Sequence, residues 1–406
     1  MTIKKIGLLR EGKVPPDKRV ALSPQHAKQF VDTYPEIDLV VQPSPIRCFP
    51  DEDYEKLGIK LQEDLSDCDV LIGVKEVNVE DLIPNKTYLF FSHTYKKQPY
   101  NKKLLRAILD KNISLIDYEM LTDSFHRRLI GFGRYAGVVG AYNGFLTWGK
   151  KFTSFQLKPA HECFDRAEME QEYSKINLPD DFKLVITGSG RVANGAMEVI
   201  DAVGLKKVSP DEFKNKSFNE PVYTKLGVSD YYALDSGEEM DVQKFYQDPS
   251  NSHSVFPEYA KHADAYFSCH FWDNRAPYIF TREEAKADDF KLKVVADISC
   301  DIDCAVACTL RPSTIADPIY GYDAKAEKET SFRDEDAIAV MAVDNLPCEL
   351  PRDASEDFGE ELLKHILPSL IGIDEDGRIM RARETTLDGK LTAKYAYLQE
   401  WVDEKD

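Results

Sequence analysis

No run of this 406-residue chain approaches the ~20 consecutive apolar residues of a membrane span, so the sequence offers no membrane-spanning helix. Positive charge is also short. Lys and Arg number 52 against 71 Asp and Glu, a net charge of −19, and such a chain lacks the basic face that nucleic acid or an anionic bilayer requires. The opening MTIKKIGLLR has no apolar signal-peptide core and no Arg- and Ser-rich transit character, so a cytoplasmic protein is expected. There is no C-x-x-C and no paired histidine. The eight cysteines are scattered, and Cys300, Cys304 and Cys308 bring no companion ligands. Neither a metal site nor a disulfide framework is expected. No internal repeat or low-complexity tract interrupts the chain.

What is present centres on Lys183–Ala196, KLVITGSGRVANGA. Leu184, Val185 and Ile186 read as a buried parallel strand. Gly188, Ser189 and Gly190 form a tight turn, and a helix follows from Val192. The pattern is G-x-G-x-x-A between a strand and a helix. Its glycines let the backbone approach a pyrophosphate, which the N–H groups and dipole of the helix N-terminus then attract. A dinucleotide site is expected at Gly188, Ser189, Gly190, Arg191, Val192 and Ala193.

Earlier in the chain, DVLIGVK (69–75), TYLFFSH (87–93) and SLIDYE (114–119) are short, strongly apolar runs separated by helical segments. Such alternation implies a parallel sheet. Each run ends in ionisable residues: Lys75 with Glu76, then His93, then Glu119. Strand carboxyl ends face the ligand crevice of an open α/β sheet, so these residues form a candidate site. Ser23-Pro24 reads as a helix start, Leu129–Gly133 as a further strand, and Tyr135–Lys151 as a long helix. After the glycine turn, the second strand of the nucleotide domain is expected to end at Ser209, with Lys206 and Lys207 before it and Asp211 and Glu212 beyond. Residues 215–251 read as loops with a short helix. Asp297 and Asp301 follow another buried strand.

The segments KRVAL (18–22), GVKE (73–76), KTYLFFSHTYKKQ (86–98), LIDYE (115–119), FGRYAG (132–137), ITGSGRVANGA (186–196) and VDNLPCELPRDAS (343–355) resemble a known family. It is that of the lysine-forming saccharopine dehydrogenases and the lysine–oxoglutarate reductase half of bifunctional α-aminoadipic semialdehyde synthase. Alanine dehydrogenase and transhydrogenase are more distant relatives. The resemblance implies an α/β fold of two Rossmann-like parallel-sheet domains with the active site in the cleft between them. Residues 1–140 with 350–406 form the substrate domain and 141–349 the nucleotide domain. The expected activity is the NAD- or NADP-linked interconversion of saccharopine with L-lysine and 2-oxoglutarate, in a monomer or homodimer without nucleic-acid or membrane partners. Alternatives are an alanine-dehydrogenase-like enzyme and a non-catalytic nucleotide-binding regulator.

By the same resemblance Lys75 and His93 match catalytic positions, and Arg19, Gln98, Arg128 and Phe132 match substrate contacts. Glu76, Lys96, Glu119 and Asp301 match supporting ionisable positions, and Arg127 a nucleotide contact. The NAD-dependent fungal members carry an aspartate where Ser209 is placed. A serine there repels no 2′-phosphate, so acceptance of NADP is expected. The residue types suit the reaction independently. Imine formation and hydrolysis need two groups titrating near neutrality, which His93 and a desolvated Lys75 can provide, and arginines clamp carboxylates.

Overall fold

The computed structural model describes residues 3–302 and 304–404, which divide into two compact units, Met1–Phe132 with Pro351–Asp406 and Gly133–Leu350.

The first unit is built on six parallel strands: β1 (Lys5–Leu8), β2 (Asp38–Val41), β3 (Lys60–Leu61), β4 (Val70–Ile72), β5 (Thr87–Phe90) and β6 (Ser114–Asp117), in spatial order β3-β2-β1-β4-β5-β6. Every residue of β4, β5 and β6 is buried, which is why these strands read as unbroken apolar runs rather than as alternation. The helix Pro24–Thr33 starts where expected: Ser23 Oγ accepts the His26 N–H at 3.3 Å and Pro24 occupies the first turn. The C-terminal segment completes this unit. Phe358 and Leu362 join the core that contains Leu71, Leu89 and Ile116. Arg383 makes a one-residue antiparallel bridge to Ile116, and Thr385 Oγ1 accepts the Leu115 N–H at 2.9 Å. The segment thereby covers the open edge of β6, where an exposed row of amides would template aggregation.

The second unit carries strands β7 (Lys183–Thr187), β8 (Lys206–Lys207), β9 (Val222–Leu226), β10 (Tyr232–Leu234), β11 (Ser252–Ser254), β12 (Ala265–Ser268), β13 (Val294–Asp297), β14 (Ile319–Asp323), β15 (Lys328–Thr330) and β16 (Ile338–Met341). Eight of them form one sheet in the order β15-β14-β16-β13-β12-β7-β9-β8, antiparallel only at β14 and β15, while β10 and β11 make a separate hairpin. The place beside β7 belongs to β9, not to β8. Residues 215–251, expected to be loops, thus supply a central strand: VYTKL is β-branched, aromatic and buried at four of its five positions.

Two further expectations are corrected. Leu129–Gly133 is not a strand: the chain makes a one-residue bridge, Thr122 to Arg128, and Gly133 opens the helix Gly133–Phe152. The expected division at 140/141 therefore falls inside that helix. Among the described residues no helix is long and apolar enough to cross a membrane.

The helix Gly133–Phe152 crosses the helix Arg191–Val203 at backbone contact. A Cβ on Gly137 would lie 1.9 Å from the Val192 carbonyl oxygen, and one on Gly195 would lie 2.0 Å from that of Arg134. Neither obstacle is a side chain that can turn away. Gly137→Ala is expected to destabilise the protein by about 3 kcal/mol, the upper end of ordinary overpacking, read as a lowered urea midpoint.

Candidate functional site

In the first unit Lys75, Glu76, His93 and Glu119 stand just past the carboxyl ends of β4, β5 and β6. His93 has a left-handed backbone, φ 54°, which is uncommon outside glycine. It is held by Asp117 at the end of β6, whose Oδ2 accepts the N–H groups of Ser92 at 2.9 Å and His93 at 3.2 Å. Asp117 Oδ1 accepts the Glu119 N–H at 2.7 Å. One buried carboxylate thus orders two neighbouring loops.

Glu119 gathers three basic side chains. Its Oε2 lies 3.0 Å from both His93 Nδ1 and Lys96 Nζ, and its Oε1 is 2.9 Å from Arg128. Burial opposes ionisation, but the hydrogen bond from His93 and the charges of Arg128 and Lys96 hold the Glu119 carboxyl far below its ordinary range. An ionised Glu119 accepts, so Nδ1 of His93 carries a proton. On the other side of the ring Glu76 Oε1 stands 3.8 Å from Nε2, and it is buried without a hydrogen-bond partner among the described residues.

Lys75 lies 6.0 Å over the Phe91 ring. Its backbone N–H and that of Val74 are both accepted by Glu11, at 2.8 and 2.7 Å. Burial, then the charges of Arg19 and Lys13, lower the Lys75 amine below its ordinary value, against the opposing pull of Glu76 and Asp17. Desolvation is the lowering expected from the sequence, and Arg19 and Lys13 are the cations that add to it. Glu11 was missed altogether; burial and the charge of Asp17 push it up to about 7. The signal for Glu11 is an acid directly beyond β1, on the strand paired with β4.

Arg19 differs from its expected role as a substrate clamp. It is 2% exposed, forks onto Asp17 at 3.0 and 2.6 Å, and stacks 4.1 Å over the Phe132 ring. Although burial opposes it, the Arg19 guanidinium holds Asp17 down at about 2. Phe132 in turn stacks on Phe358 at 4.5 Å. Arg128 and Lys96 are instead about half exposed, at 47% and 42% of their side chains. Gln98 accepts the Tyr100 hydroxyl. Arg127, expected at the nucleotide, is an exposed residue of the first unit bound to Asp123 and stacked on Phe125.

The second unit holds the glycine turn at the end of β7. Gly188 has φ +112°, and a Cβ there would meet the Cys269 carbonyl oxygen at 2.4 Å, so only glycine fits. Gly190 begins the 13-residue helix without a side-chain cap and has open space where a Cβ would stand. The positive dipole end of such a helix suits an anionic ligand. A cavity of about 500 Å³ adjoins the turn, lined by Gly188 to Val192 together with Val228, His270 and Asp301. Burial, then the charge of Asp297, pushes Asp301 up to about 6. Ala193 is buried in the helix behind the turn.

His270 was not singled out by the sequence argument. Its Nδ1 lies 2.8 Å from Thr187 Oγ1, and burial pushes the ring down to about 4, so it is neutral. Its Nε2 is buried without a hydrogen-bond partner among the described residues. The only signal in the sequence is a polar residue just past a buried strand. Ser209 is corrected outright. Its hydroxyl and Glu212 form a capping box for the helix Pro210–Asn215, beside the outermost strand β8 and away from the cavity. Gly227 and Val228 follow β9 and hold the position expected of Ser209, because β9 is what pairs with β7. Among the described residues no group of three or more His, Cys, Asp or Glu is placed to hold a metal ion.

Residues 7–139 match the family model described as alanine dehydrogenase/PNT, N-terminal domain. The chain is 26% identical over 438 residues to alpha-aminoadipic semialdehyde synthase of Arabidopsis thaliana, covering 97% of this chain and 41% of that protein. It thus spans less than half the length of that relative. It is 25% identical over 415 residues to the saccharopine dehydrogenase of Emericella nidulans, named for NAD(+) and for forming L-lysine, covering 96% and 98% of the two chains. A solved L-alanine dehydrogenase superposes with a TM-score of 0.66 at 15% identity, over 98% of each chain, and shares the fold.

The lowered Lys75 amine is directly testable. Competitive acylation across pH, read by peptide mapping, is expected to place its half-reactive point below the 10.5 of an ordinary lysine. A midpoint at or above that value would remove the desolvated-amine assignment.

Proposed function

We propose that the protein is a pyridine-nucleotide-dependent oxidoreductase that interconverts saccharopine with L-lysine and 2-oxoglutarate. The observation that carries this reading is the placement of His93 Nε2 3.8 Å from Glu76 Oε1, an oxygen buried without a hydrogen-bond partner among the described residues, beside a lysine of lowered basicity. The proton of a secondary amine, or of a water molecule, suits that gap. The names of the relatives in Arabidopsis and Emericella support the same substrate class.

The glycine cradle, the helix N-terminus without a side-chain cap and the unpartnered Nε2 of His270 fit a dinucleotide. When bound, its nicotinamide supplies the hydride acceptor. The chain's own residues handle protons. His93 Nε2 accepts the proton lost when the secondary amine becomes an imine, while Glu119 stabilises the resulting imidazolium through Nδ1–H. Water then adds to the imine carbon. Lys75 and His93 exchange the remaining protons, one from the water and one to the departing amine of lysine. Arg128 and Lys96, at the open side of Glu119, attract the carboxylates of the substrate. Arg19 acts one layer below, as a fixed charge that keeps Lys75 from protonating too readily.

Two predictions follow from these roles. Lys75→Met and His93→Gln are each expected to lower turnover ~10²-fold or more without altering nucleotide affinity in a fluorescence titration. The assay follows NADH or NADPH oxidation with lysine plus 2-oxoglutarate, and with pyruvate plus ammonia as the alternative that the family model raises. Activity with pyruvate and ammonia alone would overturn the saccharopine reading.

We place cofactor choice at the end of β9, where Leu226-Gly227-Val228-Ser229 offers no acid and the next one, Asp230, is spent on the Gly227 N–H at 2.7 Å. NADPH is therefore expected to be accepted. Gly227→Asp is expected to shift the ratio of kcat/KM toward NADH by about 10-fold or more through like-charge repulsion of the 2′-phosphate. Ser209→Asp is expected to leave that ratio unchanged.

A further inference from the structure

Four buried side chains of the first unit form a line of oxygen atoms beneath the His93 turn. Asp117 Oδ2, Ser92 Oγ, Thr94 Oγ1 and Glu384 Oε2 stand 2.5, 2.6 and 2.5 Å apart in that order. All four residues are 0% exposed. Oxygens at such distances need a hydrogen between them. There are three contacts, and the hydroxyls of Ser92 and Thr94 supply two hydrogens. The third must come from a carboxyl group.

The surroundings decide which. Asp117 already accepts three backbone N–H groups, from Ser92, His93 and Glu119, the setting of an anion. Glu384 has nothing comparable. Its Oε2 meets the Thr94 hydroxyl, and its Oε1 is buried with no hydrogen-bond partner among the described residues. An ionised carboxylate in that position would be left largely uncompensated.

We propose that Glu384 carries the missing proton and serves as a positioning residue for His93. Its O–H donates to Thr94 Oγ1, Thr94 donates to Ser92 Oγ, and Ser92 donates to Asp117 Oδ2. The anion completed in this way holds the left-handed His93 backbone. Every oxygen–oxygen contact then has its hydrogen, and the buried pair carries one negative charge instead of two. Loss of the Glu384 proton leaves Ser92 and Thr94 facing each other without a hydrogen and loosens the turn.

Electrostatics agrees. Burial, then the charge of Asp117, pushes Glu384 up to about 8; Glu119 adds to this, while Thr94 and Lys394 oppose it. Burial also raises Asp117. The other facing groups are His93 and Tyr95 on the turn and Tyr395 and Tyr397 on the C-terminal segment, and burial raises all three phenols. Lys394, the facing cation, donates to the Arg381 carbonyl oxygen at 2.9 Å. The native state therefore binds one proton more than the unfolded chain between the ordinary 4.5 and about 8. The stability this proton confers is complete below that window and is lost as pH rises through it.

Glu384→Gln tests the assignment, since a carboxamide N–H can donate to Thr94 at every pH. The wild type is expected to show the infrared carbonyl stretch of a protonated carboxylic acid at neutral pH, absent from the variant. Its unfolding free energy should fall relative to that of the variant from pH ~5 to ~8. No difference in the infrared band, or parallel stability profiles, would overturn the shared proton. The positioning role rests on the function proposed for His93. Turnover of the wild type should drop above pH ~8, with KM little changed, and the variant should retain it there. A buried proton with an unchanged alkaline limb would overturn the positioning role alone. If the chain turned over none of the proposed substrates, the proposed function would fail while the infrared and stability measurements still decided the proton.

Discussion

The active end of the first unit depends on one buried carboxylate. Asp117 closes β6 and accepts N–H groups from the loop after β5 and from its own following turn. Without an acceptor there, His93 has no reason to keep a left-handed backbone, and Glu119 has no fixed direction from which to meet the imidazole. The cost of burying that charge is offset by converging donors, the condition under which a buried ion is tolerated. That the C-terminal segment reaches this hub through Glu384 and Thr94 gives a physical reason for its return to the first sheet.

A second balance sits one layer away. Lys75 is desolvated and faces Arg19 and Lys13, both of which disfavour its charge, while Glu76 and Asp17 favour it. Arg19 cannot approach alone, because an unpaired guanidinium at 2% exposure would be prohibitive, and Asp17 satisfies it with a two-pronged contact. The pair is nearly neutral as a unit, but its positive end lies toward Lys75 closely enough to bias it. A residue expected to grip substrate becomes one that tunes an amine.

In the second unit the constraint is closeness of backbone. The turn at Gly188 passes against the Cys269 carbonyl, and the helix after it packs through Gly195 on the helix that carries Gly137 without intervening side chains. This fixes the glycine turn against the ends of β7 and β12. The neutral His270 lines the same cavity, its Nε2 buried without a hydrogen-bond partner among the described residues. Strand order decides the remainder: β9 lies beside β7, so the loop at Gly227 adjoins the turn while Ser209 caps a peripheral helix.

Local chemistry made much of this legible from the chain alone. Apolar runs marked β4 to β6, β7 and β13, Ser23-Pro24 marked a helix start, and G-S-G between a strand and a helix marked the nucleotide turn, because each signal lies within a few neighbouring residues. Ionisable residues past three successive strands marked the cluster of Lys75, Glu76, His93 and Glu119. Strand order and burial were not legible. The short strand VYTKL sits in polar sequence and takes its place only through pairing with β7. Arg19 reads as a surface cation until Asp17 and Phe132 enclose it. Glu11, His270 and Glu384 are ordinary polar residues in sequence, and what they do is decided by contacts with groups as distant as 290 positions along the chain. Residue identity determined which chemistry the chain can offer; the tertiary structure decided which groups are desolvated and paired, because desolvation and pairing are properties of neighbours that only folding supplies.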